Sequence, residues 1–124
     1  MAALPSRMTA IAIRAPGAPD VLVPEERPVP APGTGEILVK IAAAGVNRPD
    51  VMQRLGQYPP PPGASDIPGL EIAGTIEAIG VDAGEWRPGD RVCALVAGGG
   101  YAQYAAVPAP PFTESLRDNR RRIW

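Results

Sequence analysis

The chain has 124 residues, enough for one domain with a real core and too few for two full domains. Its 12 Lys+Arg against 13 Asp+Glu leave it near neutrality, which removes any electrostatic case for nucleic acid. One cysteine cannot form an internal disulfide, and no apolar run approaches the ~18 residues of a membrane span. Residues 1–7 lack the long apolar core of a secretory signal, so a reducing, cytoplasmic setting is the expectation, with no membrane partner. The 17 prolines and 14 glycines form no low-complexity tract; they punctuate apolar segments, as in a turn-rich β domain.

Residues 8–14 form the first predicted strand, and residues 1–7 read as an extension before it. Pro16-Gly17-Ala18-Pro19-Asp20 is a turn, because proline presets φ and glycine permits positive φ. Val21-Leu22-Val23 opens a second strand. Pro24 and Pro28 cannot donate ladder hydrogen bonds, so this strand is expected on an edge and is expected to end early. Residues 37–44, with Ile37, Leu38, Val39 and Ile41, are the best candidate for a central strand.

Gly45-Val46-Asn47 breaks that strand, and Asn47 caps a short helix with Pro49 in its first turn and Asp50 near its positive end. Val51, Met52 and Leu55 supply an apolar side, and Gly56 stops the helix. Residues 58–66 hold four consecutive prolines and predict a stiff, polyproline-like loop. Residues 70–80 predict a strand whose glycines at 69, 74 and 80 provide bends. Residues 91–96 and 101–107 predict two more strands, joined through Gly98-Gly99-Gly100 as a hairpin or barrel corner.

The chemistry available to such a chain is narrow. It contains no histidine, so general acid–base and triad schemes lose their usual players. Cys93, between Val92 and Ala94, reads as a small core residue with nothing nearby to activate it. Gly98-Gly99-Gly100 fails as a dinucleotide fingerprint, since Gln103 stands at the sixth position and a strand follows. Gln53, Arg54 and Arg48 read as a solvated helix face, and Asp90 as a turn residue. Asn47 offers amide donors and a carbonyl acceptor, and Tyr58 a hydroxyl on an aromatic body. Read alone, Asn47 is a helix cap and Tyr58 a cover over the core.

The order Gly45-Val46-Asn47-Arg48-Pro49-Asp50, Gly56-Gln57-Tyr58-Pro59, Gly69-Leu70-Glu71 and Arg87-Pro88-Gly89-Asp90 carries a family resemblance. Across residues 8–107 the chain resembles the N-terminal, GroES-like domain of medium-chain dehydrogenases/reductases. Within them it looks most like the zinc-free NADPH:quinone oxidoreductases, especially the p53-inducible quinone oxidoreductase group. The resemblance implies a mainly β, partly closed GroES-like barrel with one short helix over residues 8–109, without the Rossmann domain. It also implies zinc-independent hydride transfer from NADPH to a quinone or activated alkene, with Asn47 and Tyr58 as catalytic and cofactor-binding residues at the cleft.

Zinc-dependent relatives carry a cysteine in place of Asn47 and a Gly-His-Glu motif in place of Gly69-Leu70-Glu71, so no metal site is expected. Residues 110–124 depart from the pattern and read as a mobile tail, with Arg120-Arg121-Arg122 as solvated charge. Truncation or a frame change is the expected origin of that ending, and the chain is expected to be inactive alone and to self-associate through an uncovered interface. The alternative is a non-catalytic GroES-like interaction module or a truncated product.

Overall fold

The computed structural model describes residues 4–110, and the expected tail falls outside the described residues apart from Pro110. Among the described residues, six strands and one α-helix follow in chain order: β1 (Arg7–Ile13), β2 (Leu22–Pro28), β3 (Glu36–Ala44), α1 (Arg48–Arg54), β4 (Glu71–Ile79), β5 (Arg91–Leu95) and β6 (Tyr104–Pro108). A 3-10 turn, Pro19–Val21, precedes β2. β1 and β2 form an antiparallel hairpin, and the others form an antiparallel sheet in the order β5-β4-β3-β6.

Residues 101–103 stitch the two sheets together. The Ile11 N–H donates to the Tyr101 carbonyl at 2.8 Å, the Gln103 N–H to the Thr9 carbonyl at 3.2 Å, and the Ile41 N–H to the Gln103 carbonyl at 2.9 Å. Ala10 and Ala102 form an isolated bridge in the same place. The result is a mainly β domain with one helix that does not close into a complete barrel.

β3 is central, as its run of branched aliphatics predicts, with β4 on one side and β6 on the other. β2 does lie on an edge, but it does not end early: it pairs with β1 through Pro24 and on to Pro28. An edge strand needs ladder donors on one side only, which is how it carries two prolines. β5 and β6 are not a hairpin. They lie at opposite edges of the sheet, so the Gly98-Gly99-Gly100 segment is a corner that crosses its end. β6 accordingly starts at Tyr104, three residues later than the sequence pattern predicts.

The main core lies on one face of the sheet and joins Ile37, Val39, Ile72, Ile76, Val92 and Val107 to Ala83 and Trp86 from the β4–β5 connection. The Trp86 Nε1–H donates to the Pro110 carbonyl at 2.7 Å, which ties the exit of β6 to this core. Leu38 faces the other way with Met8 and Tyr104, the alternation a strand imposes. The β3–β4 register shifts between Leu38 and Val39 and again between Ile41 and Ala43. Gly74 sits opposite the second shift, where a Cβ would collide with the Lys40 carbonyl oxygen. Only glycine lets the two backbones approach this closely and bend.

Candidate functional site

The polar residues gather where β3 runs out. Gly45 leaves the strand with its N–H on the Glu71 carbonyl, 2.9 Å away. Val46 is 79% exposed, and Asn47 is extended (φ −128°, ψ 160°) as the N-cap of α1. Asn47 and Asp50 form a capping box, in which Asp50 Oδ2 accepts the Asn47 backbone N–H at 2.9 Å. The Asn47 Nδ2 donates to Glu71 Oε2 at 3.2 Å. Asn47 is therefore held by the helix start through its main chain and the capping box, and by β4 through its carboxamide nitrogen.

Asp50 is the buried charged residue of this region, 6% exposed. Its Oδ2 also accepts the Tyr101 hydroxyl at 2.7 Å, while its Oδ1 is buried without a partner among the described residues. Burial, and then the bond to Asp50, pushes the Tyr101 hydroxyl well above the ordinary tyrosine range. Tyr101 reaches Asp50 because Gly69 and Gly100 abut: Gly69 has φ +107°, and a Cβ there would lie 2.7 Å from both Gly100 Cα and Tyr101 N.

Two further bonds seat α1. The Arg54 Nη1 donates to the Gly17 carbonyl at 3.0 Å, and the Gln53 Nε2 to the Asp66 carbonyl at 3.2 Å. Gln53 and Arg54 are thus half-buried ties to the neighbouring loops, where the sequence reads a solvated face. Leu55, expected on the apolar side, is exposed at the helix C-cap, while Val51 and Met52 are half-buried.

An open groove of about 440 Å³ is bordered by Ala43, Ala44, Gly45, Glu71, Cys93 and Leu95; neither Asn47 nor Tyr58 lines it, and Asn47 is joined to it through Glu71. Leu95 is 84% exposed. Cys93 is exposed as well, which corrects its reading as a core residue: on edge strand β5 it faces away from Val92, which takes the core position. Its thiol is nonetheless pushed up, first by local desolvation and second by the Glu71 charge.

Of the two predicted site residues, Asn47 belongs to this polar group. Tyr58 lies in the loop after α1, 38% exposed, and among the described residues it makes no side-chain hydrogen bond to Asn47. Sequence reasoning assigned no site role to Asp50, Tyr101 or Glu71. The Asn47-x-x-Asp50 spacing is a capping-box signal that was available. Tyr101 gave none, since its partner is 51 residues away.

The chain has no histidine and one cysteine, and no group of three His, Cys, Asp or Glu side chains is placed to hold a metal among the described residues. No helix among them is long and apolar enough to cross a membrane.

Residues 33–114 match the alcohol dehydrogenase GroES-like domain family. A quinone oxidoreductase from Lama guanicoe is 40% identical over 100 residues, covering 79% of this chain and 30% of that protein. The crystal structure of human synaptic vesicle membrane protein VAT-1 homolog-like protein superimposes with a TM-score of 0.76 at 31% identity, over 82% of this chain and 33% of that one. A mycobacterial protein solved in complex with NADPH gives a TM-score of 0.69 at 41% identity, over 82% of this chain and 32% of that one. The chain thus spans about a third of the length of the relatives it matches.

Proposed function

The chain belongs to the alcohol dehydrogenase GroES-like domain family and is a quinone oxidoreductase-like member of the medium-chain dehydrogenases/reductases, and from that premise we propose that it forms the substrate-side wall of an NADPH-dependent, zinc-independent quinone reductase. The observation that carries this reading is the Asn47 carboxamide, a neutral hydrogen-bonding group bonded to Glu71 on the border of an open groove. Positioning and hydrogen bonding are what such a wall can contribute without a metal or a histidine.

In this reading Asn47 bonds the acceptor's carbonyl oxygen and steadies it as negative charge develops there. Tyr58 supplies an aromatic surface and a hydroxyl on the neighbouring loop. The Asp50–Tyr101 pair keeps the Asn47 main chain in place. Ala43, Ala44 and Gly45 leave room for a flat ring, since each has a methyl group or less. Hydride for the reduction comes from a bound nicotinamide, the chemistry NADPH supplies. These 124 residues contain no Gly-x-Gly-x-x-Gly run to cradle its pyrophosphate, so they are expected not to turn over alone.

Two measurements test this. With NADPH and tetramethyl-1,4-benzoquinone, the chain should show no sustained loss of nicotinamide absorbance, and sustained turnover would overturn the division of labour. The quinone should bind weakly and saturably, with Asn47→Ala weakening it; unchanged binding in that variant removes Asn47 from the site. Val46 and Leu95, both largely exposed, favour a second reading, a GroES-like module that associates through this face. Concentration-dependent sedimentation abolished by Leu95→Glu is the result that reading expects.

A further inference from the structure

We propose that Glu71 is a positioning residue, whose carboxylate fixes the rotation of the Asn47 carboxamide so that Asn47 meets a ligand as a hydrogen-bond donor. The proposal deepens the reading above and rests on it only where a ligand is concerned. A carboxylate at neutral pH accepts hydrogen bonds and donates none. Glu71 Oε2, 3.2 Å from the Asn47 amide, can therefore face its nitrogen but not its oxygen. Turning the carboxamide over would set two partial negative charges against each other, so Glu71 favours the same rotation that the capping box calls for, with the Asn47 side-chain oxygen toward the Asp50 backbone N–H.

Glu71 is itself held. Its carboxylate folds back over Gly45, where a Cβ would fall 2.9 Å from both Cδ and Oε2. The Gly45 N–H on the Glu71 carbonyl fixes the strand ends beneath it. The absent side chain at position 45 is thus what lets the carboxylate reach Asn47. Helix capping does not need Glu71, because the Asn47–Asp50 box closes the α1 start without it. The Glu71 bond is exposed, and an exposed polar contact adds little to folding. What it does add is direction: one N–H of Nδ2 is committed to Glu71, and the other is left for an acceptor oxygen such as a quinone carbonyl.

The test is nuclear magnetic resonance on the ¹⁵N-labelled full chain. The two Asn47 side-chain amide protons should be well separated in the wild type and should move toward the ordinary asparagine position in Glu71→Ala. Glu71→Gln should keep them separated, because glutamine retains an acceptor oxygen, and Gly45→Ala should shift them by displacing the Glu71 carboxylate. Backbone cross-peaks away from residues 44–47 and 70–72 should stay in place, which separates positioning from unfolding. Wild-type Asn47 amide signals at the ordinary position, or signals that ignore Glu71→Ala in a folded protein, overturn the proposal. Addition of tetramethyl-1,4-benzoquinone should then move the Asn47 amide signals selectively. A separated amide pair that ignores the quinone overturns the ligand reading and not the Glu71 contact.

Discussion

The two halves of β3 do different work. Ile37, Leu38 and Val39 are closed on both faces, with Ile37 and Val39 in the main core and Leu38 against Met8 and Tyr104. Five residues on from Ile37, Ala42 and Ala43 are exposed, and Ala43 to Gly45 border the groove with Glu71. The strand thus changes from large branched side chains to residues with a methyl group or none, without losing its pairing to β4. The buried half resists displacement because it is packed on every side. The open half inherits that rigidity through the shared ladder and can leave space free. In the proposed reading, this combination lets the wall hold the Asn47 carboxamide in a fixed place.

The contrast is broken most directly by truncating each half. Ile37→Ala removes a fully buried side chain from the main core and should cost about 2–5 kcal/mol in denaturant unfolding. Ala43→Ser, at the exposed end, should cost no more than about 0.5 kcal/mol. Similar losses from the two would show that the open half is not spare surface but core that another body completes.

A smaller effect tests how the open half is anchored. Tyr101→Phe removes the hydroxyl from the Asp50 carboxylate and should destabilise by about 1–3 kcal/mol at neutral pH. The Tyr101 proton is held more tightly in the fold than in the unfolded chain. Its stabilisation is therefore complete below the ordinary tyrosine range and is lost as pH rises through the higher folded value. Unfolding measured from neutral to strongly alkaline pH should show that loss in the wild type and not in Tyr101→Phe.

The sequence made the buried half legible and the anchored half much less so. Ile37, Leu38, Val39 and Ile41 announce a central strand by composition, and Asn47 with Pro49 announces a helix start. Cys93 was misplaced because its apolar neighbours imply burial, while strand alternation on an edge turns it outward. Arg54 and Gln53 looked solvated because their partners are backbone carbonyls, at Gly17 and Asp66, that no side-chain pattern reports. Of the hairpin or corner expected at Gly98 to Gly100, the structure has the corner, for a topological reason: adjacent strands in sequence took opposite edges. Local spacing marks elements well, but contacts closed over 51 residues leave no local mark.

Away from both halves, Arg27 pairs with Glu25 and with Asp66 at 3.0 Å each. The Arg27 guanidinium holds the Asp66 carboxyl below its usual range, against the opposing effect of partial desolvation. Both partners are partly solvated, so Asp66→Asn should cost less than about 1 kcal/mol, and less again in high salt. The sign follows from the lowered value: the contribution is present above the unfolded carboxylate range and fades as pH falls through the folded value. A loss as large as that of Tyr101→Phe would mean that this ion pair, and not α1, fixes the loop of residues 58–66.

The finest distinction concerns Cys93, which sits on the groove's border within reach of the Glu71 charge. Local desolvation is the main reason its thiol holds its proton, and the Glu71 carboxylate adds to it by disfavouring a second negative charge. Because the thiolate is the reactive form, the wild-type thiol should react slowly with iodoacetamide near neutral pH despite its exposure. Glu71→Gln removes the charge and keeps the size, so alkylation should speed up, but only in part, since the desolvation remains. Glu71→Gln also retains an acceptor for Asn47, so a faster thiol with an unmoved Asn47 amide would separate the charge of Glu71 from its hydrogen bond. An unchanged alkylation rate would place the Glu71 carboxylate farther from β5 than the groove geometry requires, and would loosen the link between the open end of β3 and its neighbour across β4.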